Sequence, residues 1–355
     1  MAALWRARSR SCRPARSYRG RVRYREIGGA KWSAIGLGTW QFGSREWGYG
    51  AEYDERTARD IVRRAIDLGV TLIDTAEIYG LGRSERIVGA AIADRRAEVA
   101  VASKLFPVLP IASVVPWRAR GSARRLGVER LDLYQLHAAN PAIPLSRAMA
   151  GMRRARAAGL IDHVGVSNLT LTQWQQCERA LGGPVLANQV RFSLLARAPE
   201  RDLLPWAWAN DRLLIAYSPL GMGMLSGRYD GSNTPTGYRA TSPAFAQESI
   251  RRAGPLLTAV RDLAATHGVA PTTIALAWLI GKPNVVAIPG ARTVAQLEEN
   301  LAAAEITLGP GEIGDLDRAS APVAFETPGR RSRLCRLRDG ARSKRPSTAG
   351  DDTAG

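Results

Sequence analysis

Cysteine and histidine are scarce, with three of each in 355 residues. Cys12, Cys177 and Cys335 are far apart and two lie near the chain ends, so neither a disulfide framework nor a zinc-ligand spacing can be built from them. His137, His163 and His267 are equally scattered, and no metal site is expected. Long apolar runs are missing too. None reaches the ~18 residues needed to span a bilayer, so no membrane partner is expected and the body reads as soluble and cytoplasmic. A further absence is the GxGxxG turn that opens a dinucleotide-binding open sheet.

What the chain has in excess is positive charge, formally +18. Its location decides its meaning. Residues 1–25 carry nine arginines and no acid, and residues 326–355 carry eight Lys/Arg against four acids. The remaining body holds only about +5. The Arg- and Ser-rich start has the bias of an organellar transit peptide, but its amphipathic periodicity is poor. We therefore expect disordered basic extensions over 1–23 and 326–355, flanking one folded unit over 24–325. Neither extension interleaves aromatics with its arginines as stacking readers of nucleic acid do, so no nucleic-acid partner is expected.

Within the body, short apolar or β-branched runs alternate with helical patterns. The strand candidates are Ala34–Leu37, Thr71–Asp74, Val99–Ser103, Leu131–Leu136, His163–Ser167, Leu186–Val190, Leu213–Ser218 and Val285–Pro289. Helical segments such as Glu55–Leu68 and Ser84–Ala93 lie between them. Alternation of this kind predicts βαβ units and a parallel sheet. Eight units in one domain predict an α/β fold closed as a (β/α)8 TIM barrel. Tyr229–Ser242, rich in Gly, Ser, Thr and Pro, is expected to be a mobile loop.

Asp74, Lys104, His137 and Asn168 end consecutive strand candidates, at spacings of 30, 33 and 31 residues. One βα unit takes roughly 30 residues, so these side chains fall at one level, on the C-terminal face where barrel enzymes place their chemistry. A free phenol is a poor acid at neutral pH, yet Lys104 near Tyr79 would favour the phenolate, and Asp74 would hold Lys104 charged. A neutral His137 would hydrogen-bond the oxygen that receives the proton. The set suits proton transfer to a carbonyl that accepts hydride. Each residue alone also has an ordinary structural reading: Asp74 as a helix cap, Lys104 as a solvated strand end, His137 as a rim side chain, Tyr79 as packing with a wet hydroxyl. Four together at adjacent strand ends favour the chemical one.

The segments IGLGTWQFG (35–43), IDTAEIYGLGRSERIVGAAI (73–92), VASK (101–104), RLDLYQLH (130–137), VGVSN (164–168), NQVRFSLL (188–195), AYSPLGMGMLSGRY (216–229) and IPGARTVAQLEEN (288–300) run in order along the body. Together they resemble the aldo-keto reductase family, over residues 24–320. The resemblance implies Asp74, Tyr79, Lys104 and His137 as catalytic residues, a small-molecule carbonyl substrate, and NADP(H) stretched across the C-terminal face. It implies Gly38, Thr39, Trp40 and Asp74 at the cofactor, with Ser167, Asn168 and Gln189 on the nicotinamide amide and Tyr217 stacked on its ring. Ser218, Leu220, Gly221, Gly223 and Leu225 would wrap the pyrophosphate through backbone N–H groups. Gly290, Arg292, Gln296, Glu299 and Asn300 would hold the adenosine end, Arg292 clamping a 2′-phosphate.

Some barrels of this family resemble the cytoplasmic β subunits of potassium channels, so a cofactor-binding auxiliary subunit is the alternative to an enzyme. Trp40, Trp47, Phe106 and Trp117 are candidates for the substrate pocket. Residues 105–107 and the segment after Ser320 depart from the family pattern, which leaves substrate choice open. Oligomeric state has no sequence signature.

Overall fold

The computed structural model describes residues 22–323, apart from 230–232, 234 and 236. The expected C-terminal extension lies outside the described residues, as does the N-terminal one up to residue 21. Arg23 is already part of the folded body, donating to Ile306 O at 2.9 Å and Thr307 Oγ1 at 2.7 Å.

The chain opens with a hairpin, β1 (Tyr24–Ile27) and β2 (Ala30–Ser33), paired antiparallel. Gly28 and Gly29 form its two-residue turn, both at positive φ (63° and 77°), as the turns that match strand twist require. A barrel strand follows at β3 (Leu37–Gly38), then β4 (Leu72–Asp74), β5 (Ala100–Leu105) and β6 (Leu131–Leu136). The last four are β7 (Ile161–Ser167), β8 (Ala187–Arg191), β9 (Leu213–Tyr217) and β10 (Val285–Ala287). All eight pair in parallel and in chain order. Closure is made by Gly36 N–H to Ala287 O (2.8 Å), Ala287 N–H to Ala34 O (2.9 Å) and Gly38 N–H to Pro289 O (3.1 Å).

Helices α1 (Glu55–Asp67), α2 (Arg83–Ile92), α3 (Val114–Leu126), α4 (Leu145–Ala157) and α5 (Leu171–Leu181) cover the first strands. They are followed by α6 (Leu203–Ala209), α7 (Gln247–His267), α8 (Pro271–Ile280), α9 (Val294–Leu301) and α10 (Pro310–Ser320). Their local causes are legible in α1. Asp54 accepts from Thr57 N at 2.8 Å and caps the helix. Ala58, Ile61, Val62, Ala65 and Ile66 recur at the helical period and are buried. Each such isoleucine stabilises by about 1.5–3 kcal/mol. No single helix among the described residues is long and apolar enough to cross a membrane.

Two apolar cores result. The larger lies between strands and helices. The smaller fills the barrel itself, where Leu72, Leu133, Leu213, Ile215 and Val286 meet Ile27 and Trp32 of the hairpin. Trp32 is fully buried and donates Nε1–H to Ile27 O at 3.0 Å. The hairpin is therefore the floor of the barrel. Sequence reading passed over it, although two glycines between short runs were the available signal. The described part of the Tyr229–Ser242 segment has some local structure. It carries a tight turn at Gly237–Thr241, and Arg239 donates Nε–H to Met222 O at 2.8 Å.

Helix α2 approaches α3 so closely that a Cβ on Gly89 would lie 2.5 Å from Leu126 O and 2.6 Å from its carbonyl carbon. Alanine gains about 1 kcal/mol of helix propensity over glycine, but overpacking against backbone costs about 1–3 kcal/mol. Gly311 in α10 has nothing within 4 Å of the same position. Thermal melting should therefore show Gly89→Ala lowering Tm and Gly311→Ala raising it. Equal shifts of one sign would contradict the packing argument.

Candidate active site

The barrel's other end carries charge instead of tryptophan. Asp74, the last residue of β4, is 2% exposed, and Lys104 on β5 is fully buried. Lys104 Nζ donates to Asp74 Oδ1 at 2.5 Å, to Thr75 O at 2.9 Å and to the Tyr79 hydroxyl at 3.2 Å. The second carboxylate oxygen accepts from Gln189 Nε2 at 2.7 Å and Gln135 Nε2 at 3.3 Å. An ion pair in so dry a position persists only when its remaining hydrogen-bonding capacity is met, and here it is.

Tyr79 reaches this pair from a tight turn, Tyr79–Gly82, rather than from a strand. Gly80 and Leu81 take left-handed conformations (φ 52° and 54°) and Gly82 follows at 81°. A leucine there costs on the order of 1–3 kcal/mol and marks a segment held against local preference. The turn is fastened from behind: Ser84 shares hydrogen bonds with Thr39 (2.8 Å) and Thr75 (3.0 Å). His137 follows β6, its backbone N–H bonded to Leu105 O at 3.0 Å. Its ring stands edge-on to Tyr79, 5.9 Å between centroids. Nδ1 is buried with no hydrogen-bond partner among the described residues.

Electrostatics follow from this packing. Burial pushes the Tyr79 phenol above its ordinary value, and Lys104 pulls against that shift. Burial alone would depress Lys104, but Asp74 outweighs it and holds the ammonium above the usual lysine value. Burial, aided by the Lys104 charge, lowers His137 to about 3. At neutral pH the site thus holds a protonated phenol, a charged lysine and a neutral imidazole.

Tyr79 and His137 stand in the wall of a cleft of about 860 Å³ that runs across the C-terminal face to Arg292. Gly38, Trp40, Asp74, Ser167, Asn168, Gln189, Tyr217, Ser218, Leu220 and Gly223 line it, and so do Gly290, Arg292, Gln296, Glu299 and Asn300. Lys104 lies behind the wall. Thr39 touches the cleft, but its hydroxyl is committed to Asp74 O at 2.9 Å and to Ser84. The Gln189 amide nitrogen is likewise taken up by Asp74. Asn168, left-handed at φ 60°, accepts from the Tyr217 hydroxyl at 2.9 Å and donates to Ser167 Oγ at 3.0 Å.

The Ser218–Leu225 segment is less simple than its sequence suggested. Leu225 is in the apolar core, and a Cβ at Gly221 would meet Leu195 at 2.6 Å. The backbone N–H groups of Gly221, Gly223 and Leu225 donate to Ser218 O and Leu220 O. Arg228 and Arg239, not singled out from the sequence, bring positive charge to that wall. Of the aromatic candidates, Trp40 and Trp47 line the cleft with ring centroids 5.2 Å apart, and Phe106 stands edge-on to His137 at 6.1 Å. Trp117 is exposed on α3 and lies outside the cleft lining.

Two supporting residues were missed in the sequence. Gln135 was visible as one polar residue in the apolar run LDLYQL; it fits because Gly165 beside it has no Cβ, which would lie 2.8 Å from Gln135 Cγ. Glu77 pairs with Arg118 and accepts from Phe106 N at 2.5 Å, fixing the loop after β5 that carries Phe106.

Comparison with known proteins bears on the family and the fold. Residues 34–321 match the sequence model of the Aldo/keto reductase family. An uncharacterized oxidoreductase of Mycobacterium tuberculosis is 52% identical over 307 residues, 85% of this chain and 95% of that one. A methylglyoxal reductase of Escherichia coli is 34% identical over 81% of this chain and 90% of its own length. Among solved structures, an aldo-keto reductase of Klebsiella pneumoniae in complex with NADPH superposes with a TM-score of 0.70 at 31% identity, covering 87% of this chain and 98% of that one. The eight-stranded barrel and a match over most of the chain give one conclusion: this protein belongs to the Aldo/keto reductase family of oxidoreductases.

Proposed function

We propose that the chain is an NADP(H)-dependent reductase that converts an aldehyde or ketone to an alcohol. The observation that carries this reading is Lys104 Nζ, joined at once to the Asp74 carboxylate and the Tyr79 hydroxyl, with the His137 ring edge-on to Tyr79 in the cleft wall. The residues fit a phosphorylated dinucleotide. The cleft is long, it is polar near Ser167 and Asn168, and Arg228, Arg239 and Arg292 line it. Ser167 and Asn168 would hold the carboxamide, Tyr217 the ring face, residues 218–223 with Arg228 and Arg239 the pyrophosphate, and Arg292 the 2′-phosphate. Support also comes from the Klebsiella relative's NADPH complex and the E. coli relative's name.

When bound, the reduced nicotinamide supplies a hydride to the carbonyl carbon. The chain's own residues manage the oxygen. Neutral His137 hydrogen-bonds it and orients the carbonyl. Tyr79 releases its proton to it, and the Lys104 charge stabilises the phenolate left behind. Asp74 keeps Lys104 charged and in place. The substrate is a small carbonyl compound whose identity the pocket loops set.

Tyr79→Phe removes the proton and keeps the ring. Turnover with a panel of aldehydes should fall by about 10²-fold or more, while the Kd for NADPH should change little. Retained turnover would remove Tyr79 from this role. Absence of turnover in the unaltered protein, beside clear NADPH binding, would favour the auxiliary-subunit alternative.

His137 yields a pH prediction. Its folded-state value is about 3 against about 6.5 when unfolded, so between these values the unfolded chain binds the extra proton. The resulting stability is present above pH ~6.5 and is lost as pH falls toward 3. Calorimetric Tm from pH 7 to 4.5 should drop less steeply in His137→Asn than in the parent. Parallel curves would show that the imidazole is not held neutral by burial.

A further inference from the structure

Arg292 stands in the turn between β10 and α9, at the end of the cleft that also holds Gly290, Gln296 and Asn300. Its backbone N–H donates to Gln296 Oε1 at 2.9 Å, which fixes where the side chain starts. The guanidinium Nη1 is engaged by the carboxylate of Glu52, a residue 240 positions earlier in the chain.

Glu52 comes from the segment between β3 and α1, and that segment is built to hold it. Tyr53 is buried, donates its hydroxyl to Gln41 O at 2.5 Å and packs against Phe42 and Tyr49. Glu52 N–H bonds Gly48 O at 2.7 Å. Gly48 lies at φ 86°, and a Cβ there would fall 2.7 Å from Glu52 Cδ, so the glutamate side chain lies back across the space the glycine leaves. Gln41 ties this segment to the arginine's own turn through Nε2–H to Ala291 O at 3.0 Å. The other charged groups in the cleft lining are Arg228, Arg239, Glu46, Glu299 and Asp74; Glu299 accepts from the Thr272 hydroxyl and Asp74 is paired with Lys104.

A guanidinium facing a carboxylate presents no net charge. A ribose 2′-phosphate at Arg292 would compete for the Nη1 donor that Glu52 engages, and its own charge repels the carboxylate. A ribose 2′-hydroxyl can instead donate to that carboxylate. We propose that Glu52 determines coenzyme choice as a built-in competitor for Arg292, holding the protein's preference for the phosphorylated coenzyme below what Arg292 alone would give. This rests on the reading of the Arg292 end as the 2′-phosphate site. Glu52 acts through Arg292 and is a specificity-determining residue, with no part in the proton transfer.

The test is the Kd of NADPH and of NADH, by quenching of tryptophan fluorescence, for the full chain and for Glu52→Gln, Glu52→Lys and Arg292→Met. Exposed ion pairs are worth roughly 0.2–1 kcal/mol, so Glu52→Gln should tighten NADPH by about 1.5- to 5-fold without tightening NADH. Glu52→Lys should tighten it further, and both gains should shrink as salt is raised. Arg292→Met should abolish most of the preference for NADPH. An unchanged NADPH/NADH ratio in both Glu52 variants, with the ratio lost in Arg292→Met, overturns the inference and leaves the coenzyme reading standing. A parental ratio in Arg292→Met overturns both.

Discussion

The dry ion pair between Asp74 and Lys104 is the contact on which the rest of the C-terminal face depends. An ammonium has three protons to give, and Lys104 has three acceptors: Asp74, Thr75 O and the Tyr79 hydroxyl. The carboxylate's second oxygen is closed off by Gln135 and Gln189. Removing either charge leaves the other buried and uncompensated, a cost of about 3–5 kcal/mol. The same pair that threatens stability when broken is what points an ammonium at a phenol.

This arrangement divides the barrel along its axis. Below the polar layer the interior is Leu72, Leu133, Leu213 and their neighbours, closed by Trp32. Above it begins the cleft. Side chains alternate in and out along each strand, so Leu133 and Gln135 on β6 are two steps apart and face the same interior at different depths. Gly165 on the adjacent strand leaves the room that Gln135 needs. The buried charges are thereby confined to one depth.

Much of this was legible from residue order. The eight strands and their parallel pairing follow from strand–helix alternation, and the co-location of Asp74, Lys104 and His137 from polar side chains at strand ends about 30 residues apart, with Tyr79 just past the first of them. Less was legible wherever the cause is a tertiary contact. Gln135 reads as one polar residue in an apolar strand until Asp74 is seen opposite it. The N–H groups of Gly221 and Gly223 look available in sequence, yet short-range turns use them. Glu52 shows no connection to Arg292 until the fold brings β3 and β10 together at the closure of the barrel. The hairpin was missed for a different reason: its strands are four residues each, too short to show alternation.

That hairpin has a consequence for traffic. With Trp32 and Ile27 sealing the floor, the barrel is a cup with a single rim. Whatever lies deepest, next to Asp74, must arrive before anything that covers it and must depart after it. Sequence of entry and exit in such a vessel is then a matter of depth, set by the packed leucine layer inside the barrel and by the strand pair that covers it from below.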